Sequence, residues 1–310
     1  MSKYLSCGNI MSDYVEQSDG TLGEIHMGGP AFFALTGIRL WSRECKLVCR
    51  AGADYVDSYG KWMTTNGLSC ASIHVAADHC TQHILKHHKD GTYGWRSRFG
   101  QELLGYLKTR PEDIEEALTP EVKGIYMAQN VDKVYWQKVS RLKEKYDFRF
   151  MWELEAMPEH LSEDEWLPAV KNVIENADMW SLNSSEASQL FGIPKENEED
   201  IISEIMKMPV EMTLFRVGKK GAYAVSPSAA IFCPSIDVAS SVDPTGCGNC
   251  STGAAMYAHV NGYSLKEVVI MANIAAGYNA AQYGPYMNFS DDVTENAHKL
   301  RLQYLKEIKG

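Results

Sequence analysis

The sequence predicts an α/β fold with a largely parallel central sheet, and three observations carry that prediction. Apolar runs of strand length alternate with longer helix-like runs through most of the chain. Glycines stand where several strand-like runs end, at Gly8 and in the loop 50–54 among others. One stretch, 71–99, breaks the alternation with short strand-like segments around Asp90-Gly91, a strong hairpin signal.

The elements follow in order. Residues 4–7 read as a first short strand ending at Gly8. Gly29-Pro30 opens an apolar helix through Leu40, with the proline in its first turn. Residues 47–49 form a buried strand, and 57–66 a helix closed by Gly67. In 71–99, Ile73, Val75, Ile84, Leu85, Tyr93 and Trp95 mark an antiparallel insertion of the kind that covers a site. Alternation resumes at Pro111, with strands over 148–152, 179–182, 212–217 and 223–225 and a helix over 164–176. The acidic run 196–200 reads as a solvated helix start. Helices rich in Ala and Gly cover 248–260 and 265–282, which predicts close packing between them. The last helix, 295–309, docks through Leu300, Leu302 and Leu305. With neither a fixed-period repeat nor a low-complexity linker, the expectation is one domain, 1–310, with a small lid at about 11–25 and 71–99.

Composition narrows the function. Of 310 residues, 45% are apolar and 23% charged, enough for a buried core and unlike a disordered, collagenous or disulfide-stapled chain. Thirty basic against 40 acidic side chains leave a formal charge of −10, which argues against a general nucleic-acid binder. Any anionic ligand must therefore be held by local dipoles. Eight cysteines scattered through apolar runs read as free thiols of a reducing compartment. The N-terminus lacks a signal-peptide apolar region, and the stretch 268–281 is short and interrupted by Asn273 and Asn279. The expectation is a cytoplasmic protein that does not use a membrane.

The most informative segment is Asp243-Pro244-Thr245-Gly246-Cys247-Gly248-Asn249, leading into a helix. Two glycines at a helix entrance let backbone N–H groups converge on an anion, and the helix dipole favours negative charge there. Alone, such a segment reads equally well as an ordinary tight turn. Three others accompany it. Asn183-Ser184-Ser185-Glu186 opens a helix after a strand, Arg216 to Gly221 makes a glycine turn between two strands, and Gly28-Gly29 precedes a helix with Asp13 beyond the first strand.

In order and approximate spacing these segments resemble the ribokinase/PfkB family of carbohydrate kinases over nearly the whole chain. The segment 8–13 resembles the family's first strand and its substrate-binding aspartate, Asp13 here, and Gly28-Gly29 resembles its di-glycine. The loop 52–54 with Gly60 is similar to its next glycine-aspartate loop, and the hairpin ending Tyr93 to Arg98 to its sugar-covering lid. Asn183 and Glu186 fit its N-x-x-E motif, Gly218 and Gly221 its nucleotide loop, and 243–249 its D-x-T-G-A-G-D signature. The resemblance implies a three-layer α/β/α body with a small β lid, and phosphoryl transfer from ATP to a hydroxymethyl group of a sugar or related polyol. It implies Mg²⁺ placed by Glu186 through water, with a monovalent cation such as K⁺ as a further cofactor, and a homodimer formed through lid strands. Gly246, Cys247 and Gly248 would then donate backbone N–H groups to the transferring phosphoryl. Asp13 would accept hydrogen bonds from substrate hydroxyls, beside Gly28, Gly29, Phe32, Phe33 and Arg98. Arg216, Gly218, Gly221 and Asn273 would lie near the nucleotide, with Asn183 and Glu186.

The pattern also breaks. Asn249 stands where the family carries its catalytic aspartate, and an amide cannot accept the proton of an attacking hydroxyl. General-base assistance is worth about 10² to 10⁴ in rate. Phosphoryl transfer leans more on positioning and charge, so a slow kinase survives this loss. Asn249 can still orient a hydroxyl, or Asp243 or Asp13 can be recruited as base. Phe32 or Phe33 replaces the asparagine usual after the di-glycine and favours an apolar or aromatic group. Arg216 either meets a nucleotide phosphate or caps its strand, and Glu153 reads as a solvated strand-end carboxylate, with a pocket-facing one as the alternative. Cys247 and Cys250 have C-x-x-C spacing without further ligands, so Cys247 reads as the small residue of the anion loop. His74, His79, His83, His87 and His88 read as a polar lid surface, one of them free to meet substrate. Two rival expectations stand beside the sugar kinase: an inactive relative that binds a sugar or nucleotide, and a nucleoside kinase.

Overall fold

The computed structural model describes residues 2–16, 20–87, 93–156 and 161–308. Among these described residues, thirteen strands are β1 (Tyr4–Cys7), β2 (Met11–Glu16), β3 (Leu22–Gly28), β4 (Cys45–Gly52), β5 (Ile73–Ala77), β6 (Gln82–His87), β7 (Tyr93–Ser97), β8 (Gly124–Ala128), β9 (Arg149–Glu153), β10 (Met179–Asn183), β11 (Met212–Arg216), β12 (Gly221–Ser226) and β13 (Ala229–Pro234). Nine form one sheet in the order β13-β12-β11-β10-β9-β8-β1-β4-β5. It is parallel from β11 to β5, and β12 and β13 add an antiparallel edge. A parallel sheet must be covered on both faces, which is why its strands read as nearly unbroken apolar runs. Every residue of β1 and β8 is buried.

Helices supply the two covers. On one face the helices Pro30–Trp41, Cys247–Val260 and Leu265–Ala280 bring Phe32, Leu35, Met256 and Ile270 onto the sheet. On the other, helices including Lys133–Lys145 and Glu163–Ile174 cover a core of Trp136, Phe150, Trp152, Val173 and Trp180. The fold is thus the three-layer α/β/α body with a mostly parallel sheet that the sequence predicts. The strands β8 and β13 were not among those expected, and the helix expected over 57–66 divides into a 3₁₀ turn, Ala53–Asp57, and a helix, Tyr59–Thr65.

One helix crossing sets the site. Where Pro30–Trp41 meets Cys247–Val260, a Cβ at Gly37 would strike the backbone of Cys250 and one at Gly253 the backbone of Ala34. Glycine at both positions lets the helices touch backbone to backbone. This close approach holds the start of one helix, at the di-glycine, near the start of the other, at the anion-loop segment.

The second sheet has the order β3-β2-β6-β7. Its β2–β3 and β6–β7 pairs are antiparallel, whereas β2 and β6 run parallel. The insertion is therefore a mixed sheet entered twice from the body. Ile73–Ala77, expected within it, instead pairs in parallel with β4 at the edge of the main sheet, with Cys49 beside Ile73 and Ala51 beside Val75. Alternation of apolar residues reports a half-buried strand but not its partner. Asp90-Gly91 lies outside the described residues. All eight cysteines are free. Among the described residues no helix is long and apolar enough to cross a membrane.

Candidate active site

Parallel pairing brings the C-terminal ends of β8 to β11 to one edge, and the glycine-bearing loops cluster there. The loop before the helix Cys247–Val260 is fixed from within. Asp243 Oδ1 accepts hydrogen bonds from the Thr245 N–H (2.9 Å) and hydroxyl (2.7 Å), and Asn279 Nδ2 donates to the Thr245 carbonyl (2.8 Å). Gly246 is left-handed (φ 77°), and a Cβ there would run into the Phe33 ring. The first turn is then tied down by Ser251 and Thr252, whose hydroxyls both donate to the Gly248 carbonyl at 2.8 Å. The Cys247 N–H is taken by the Pro244 carbonyl (3.1 Å), which leaves the Gly246 and Gly248 N–H groups at a rigid helix entrance to receive an anion.

Beside this loop lies a cavity of about 400 Å³ lined by Asn183, Arg216, Gly218, Gly221, Cys247, Gly248 and Asn273, and closed farther out by Ile236, Ala239 and Ala280. Asn183 ends β10 and caps the helix Ser184–Phe191, accepting from the Ser185 and Glu186 N–H groups at 2.9 Å. Glu186 returns the bond to the Asn183 N–H (2.8 Å) and amide (2.5 Å). Asn273 donates to the Cys233 and Pro234 carbonyls (2.8 and 2.9 Å), anchoring β13 against the cavity.

Under the loop runs a buried polar chain. Arg216, in register with Asn183, places Nη2 2.6 Å from Glu153 Oε1 and 3.8 Å from Glu186 Oε2. Tyr126 donates its hydroxyl proton to Glu153 Oε2 (2.7 Å) and accepts from Asn249 Nδ2 (3.3 Å). Burial opposes the charge on Arg216, but Glu153 and Glu186 outweigh it and hold the guanidinium firmly protonated. Burial pushes the Glu186 carboxyl up, with Arg216 pulling the other way. Tyr126 is raised well above the ordinary phenol range by burial and by the neighbouring Glu153.

Opposite the loop is the small sheet. Register sets His26, Asp13, His83 and Ser97 side by side across one face. Asp13 Oδ1 lies 3.5 Å from His83 Nδ1. A Cβ at Gly28 would come within 3.3 Å of the Phe33 ring and 3.8 Å of Asp13 Oδ2. Phe33, itself buried, therefore fills the space between the di-glycine and Gly246, and Asp13 lies beside Gly28.

Several expectations change. Phe32 is fully buried, edge-on to Tyr59 (4.7 Å) and Trp62 (4.8 Å), and turns into the core away from any substrate. Successive helix positions point about 100° apart, so only one of the two phenylalanines can face the gap. Arg98 bonds Gln82 (2.9 Å) and Tyr14 (3.1 Å) on the face opposite Asp13, because Tyr14 and Gln82 are strand neighbours of Asp13 and His83. Glu153 is no solvated strand-end carboxylate but is buried against Arg216 and Tyr126. Asp243 is engaged in its own turn. The histidines part company: His74 sits 3.9 Å from Glu116, His79 3.2 Å from Asp54, and His83 beside Asp13, with His88 outside the described residues. Among the described residues no three His, Cys, Asp or Glu side chains are grouped to hold a metal. Glu186, both of whose oxygens accept bonds from Asn183, suits a hydrated Mg²⁺ met through water better than direct ligation. Tyr126 and Asn279 were not anticipated, since nothing local in the sequence marks a buried partner from a distant element.

A profile of the pfkB family carbohydrate kinases matches residues 3–291. A ribokinase of Arabidopsis thaliana is 33% identical over 113 residues, 35% of this chain. The match spans only 30% of that relative's length. Among solved structures, an E. coli protein described as a ribokinase II, in complex with ATP and Mg²⁺, superposes with a TM-score of 0.77 at 17% identity, covering 98% of this chain and 100% of the other. The nucleoside kinase of Burkholderia thailandensis with inosine gives 0.69 at 16% identity, with 98% and 96% covered. The adenosine kinase of Sinorhizobium meliloti gives 0.72 at 15%, with 96% and 99% covered. At such identities the likeness concerns the fold.

Proposed function

The chain belongs to the pfkB family of carbohydrate kinases, and on that premise we propose that it transfers the γ-phosphoryl of ATP to a hydroxymethyl group of a sugar or sugar-like polyol. The observation that carries this reading is the placement of one rigid anion-binding helix entrance, Gly246 to Gly248, between a nucleotide-sized cavity and the carboxylate of Asp13. ATP with Mg²⁺ supplies the transferable phosphoryl and neutralises part of its charge. The chain's residues do the rest. Gly218 and Gly221 border the nucleotide, Asn183 and Glu186 face its phosphate end, and Asp13 accepts from substrate hydroxyls.

Asn249 orients the acceptor hydroxyl without deprotonating it. The Tyr126 proton is given to Glu153, so Tyr126 can only accept from Asn249. That turns the amide NH₂ toward Tyr126 and leaves Oδ1 as the acceptor for a substrate O–H. Transfer is then slow relative to a site with a carboxylate base. A phosphorylation screen with ATP over sugars, polyols and nucleosides tests this reading, K⁺ and Na⁺ buffers being compared to test the monovalent cation. Phosphorylated product from any of them supports it, and bound ligand without product favours the binding-only relative. A nucleoside as sole acceptor favours the reading that Phe33 motivates, an aromatic ring between Gly28 and Gly246. The reading includes a homodimer through the lid, supported by Leu22 and Ile25 exposed on the edge strand β3. A monomeric mass in solution scattering overturns that part alone.

A further inference from the structure

We infer that the Arg216 guanidinium contacts the transferring phosphoryl group and stabilises its charge, an inference that rests on the phosphotransferase reading above. Three observations lead there. The first is position. Arg216 ends β11 directly beside Asn183, and its guanidinium lines the cavity with Gly218, Cys247 and Gly248. A Cβ at Gly248 would collide with Nη1, so this arm of the fork lies against the first turn of the anion-binding helix, where only glycine leaves it room.

The second is direction. In the Glu153–Arg216 pair the carboxylate is the inner partner, with side chains 4% and 14% exposed respectively. Glu153 is occupied on one oxygen by Nη2 and on the other by the Tyr126 hydroxyl. The pair is thus a fixed dipole with its positive end at the cavity. Nη2 is the atom paired with Glu153 and Glu186, and the buried Nε has no hydrogen-bond partner among the described residues. The fork is not used up by the protein.

The third is economy of explanation. A buried ion pair is seldom more stabilising than well-packed apolar side chains of the same size. Stability alone therefore does not account for a guanidinium beneath a helix entrance already disposed to bind an anion. Chemistry does. In the transfer, the acceptor oxygen bonds to the γ-phosphorus, the bond from that phosphorus to the β,γ-bridging oxygen breaks with its electron pair leaving on ADP, and the hydroxyl proton passes to water. Charge spreads over the three equatorial phosphoryl oxygens in a loose transition state, where a planar guanidinium is an effective partner. A site with an amide at 249 depends on such stabilisation more than one with a carboxylate.

The test compares nucleotides that differ only at the γ-position. The full-length chain, unaltered and as Arg216→Gln, is titrated calorimetrically with ADP and with the non-hydrolysable triphosphate AMP-PNP in Mg²⁺ buffer. The expected result is that Arg216→Gln loses about 10- to 100-fold of its affinity for AMP-PNP, the size of one charge-assisted hydrogen bond, while ADP affinity holds within about threefold. Arg216→Lys keeps a cation against Glu153, so it folds even where the glutamine variant does not, and it shows a smaller loss in the same direction. Equal weakening of both nucleotides, or no change in either variant, overturns the inference and leaves the phosphotransferase reading standing. Failure of the unaltered chain to bind either nucleotide overturns the phosphotransferase reading, and this inference with it.

Discussion

The hydroxyl proton of Tyr126 decides what residue 249 can be. It is donated to Glu153 at 2.7 Å, so the phenol oxygen meets residue 249 as an acceptor and calls for a donor there. Asn249 supplies one; an aspartate would set acceptor against acceptor beside a second carboxylate. Asn249→Asp is therefore expected to lose about 1–3 kcal/mol of stability. Urea unfolding should show that loss shrinking when Tyr126→Phe is added, and an undiminished loss in the double variant would contradict the account. Phe32 and Phe33 part in the same way. Phe32→Ala opens the core beside Tyr59 and Trp62 and costs about 3–5 kcal/mol, with acceptor preference unchanged in a substrate screen. Phe33→Ala alters acceptor preference, because that ring borders Gly246 and Gly28. The departure at 249 was legible in the sequence, since a motif with one residue changed is a local fact. The reason for it was not. Tyr126, Glu153 and Arg216 lie on three different strands, and only the parallel register brings them together.

Among the elements, the glycine turns were the legible parts, because φ > 0 and close backbone approach leave glycine as a visible trace. Partners of strands were not. Ile73–Ala77 carries the same alternation whether it pairs with β4 or with a hairpin, so its place at the edge of the main sheet could not be read from its residues. The helix crossing at Gly37 and Gly253 was foreshadowed only by small-residue composition. It now carries a specific expectation. Gly253→Ala forces a Cβ against the Ala34 carbonyl and should cost about 1–3 kcal/mol as overpacking. Because the crossing also aligns the di-glycine with the anion loop, nucleotide affinity should fall along with the melting temperature. A lowered melting temperature with unchanged affinity would show that the crossing does not set the site. Asn183→Ala removes both a helix cap and a cavity wall, worth about 0.5–2 kcal/mol as a cap.

Over the whole molecule, a charge of −10 repels polyphosphate, and attraction has to be local. Arg216, Lys219 and the helix entrance are positive features at the cavity, while most other ion pairs are at the surface and of little energetic weight. One pair is different. Asp113 is buried at the start of the helix Pro111–Ala117; burial would raise its pKa, but bonds from Arg50 at 2.7 and 2.8 Å and from the Arg110 N–H outweigh it and lower it below 3.8. A carboxylate lowered by folding stabilises the native state fully above its unfolded pKa and loses that contribution as pH falls through the folded one. Asp113→Asn should therefore be less stable than the unaltered chain at neutral pH, with the gap narrowing below about pH 4; a gap constant down to acid would contradict the assignment. The central claim is that the cavity beside Gly246 to Gly248 takes a nucleoside triphosphate with Mg²⁺. Calorimetric titration of the unaltered chain with AMP-PNP in Mg²⁺ buffer tests it most directly. Saturable binding of one nucleotide per chain, lost in Gly246→Ala while the fold persists by circular dichroism, is the result predicted. A flat isotherm at millimolar nucleotide, or binding indifferent to Gly246→Ala, would contradict it.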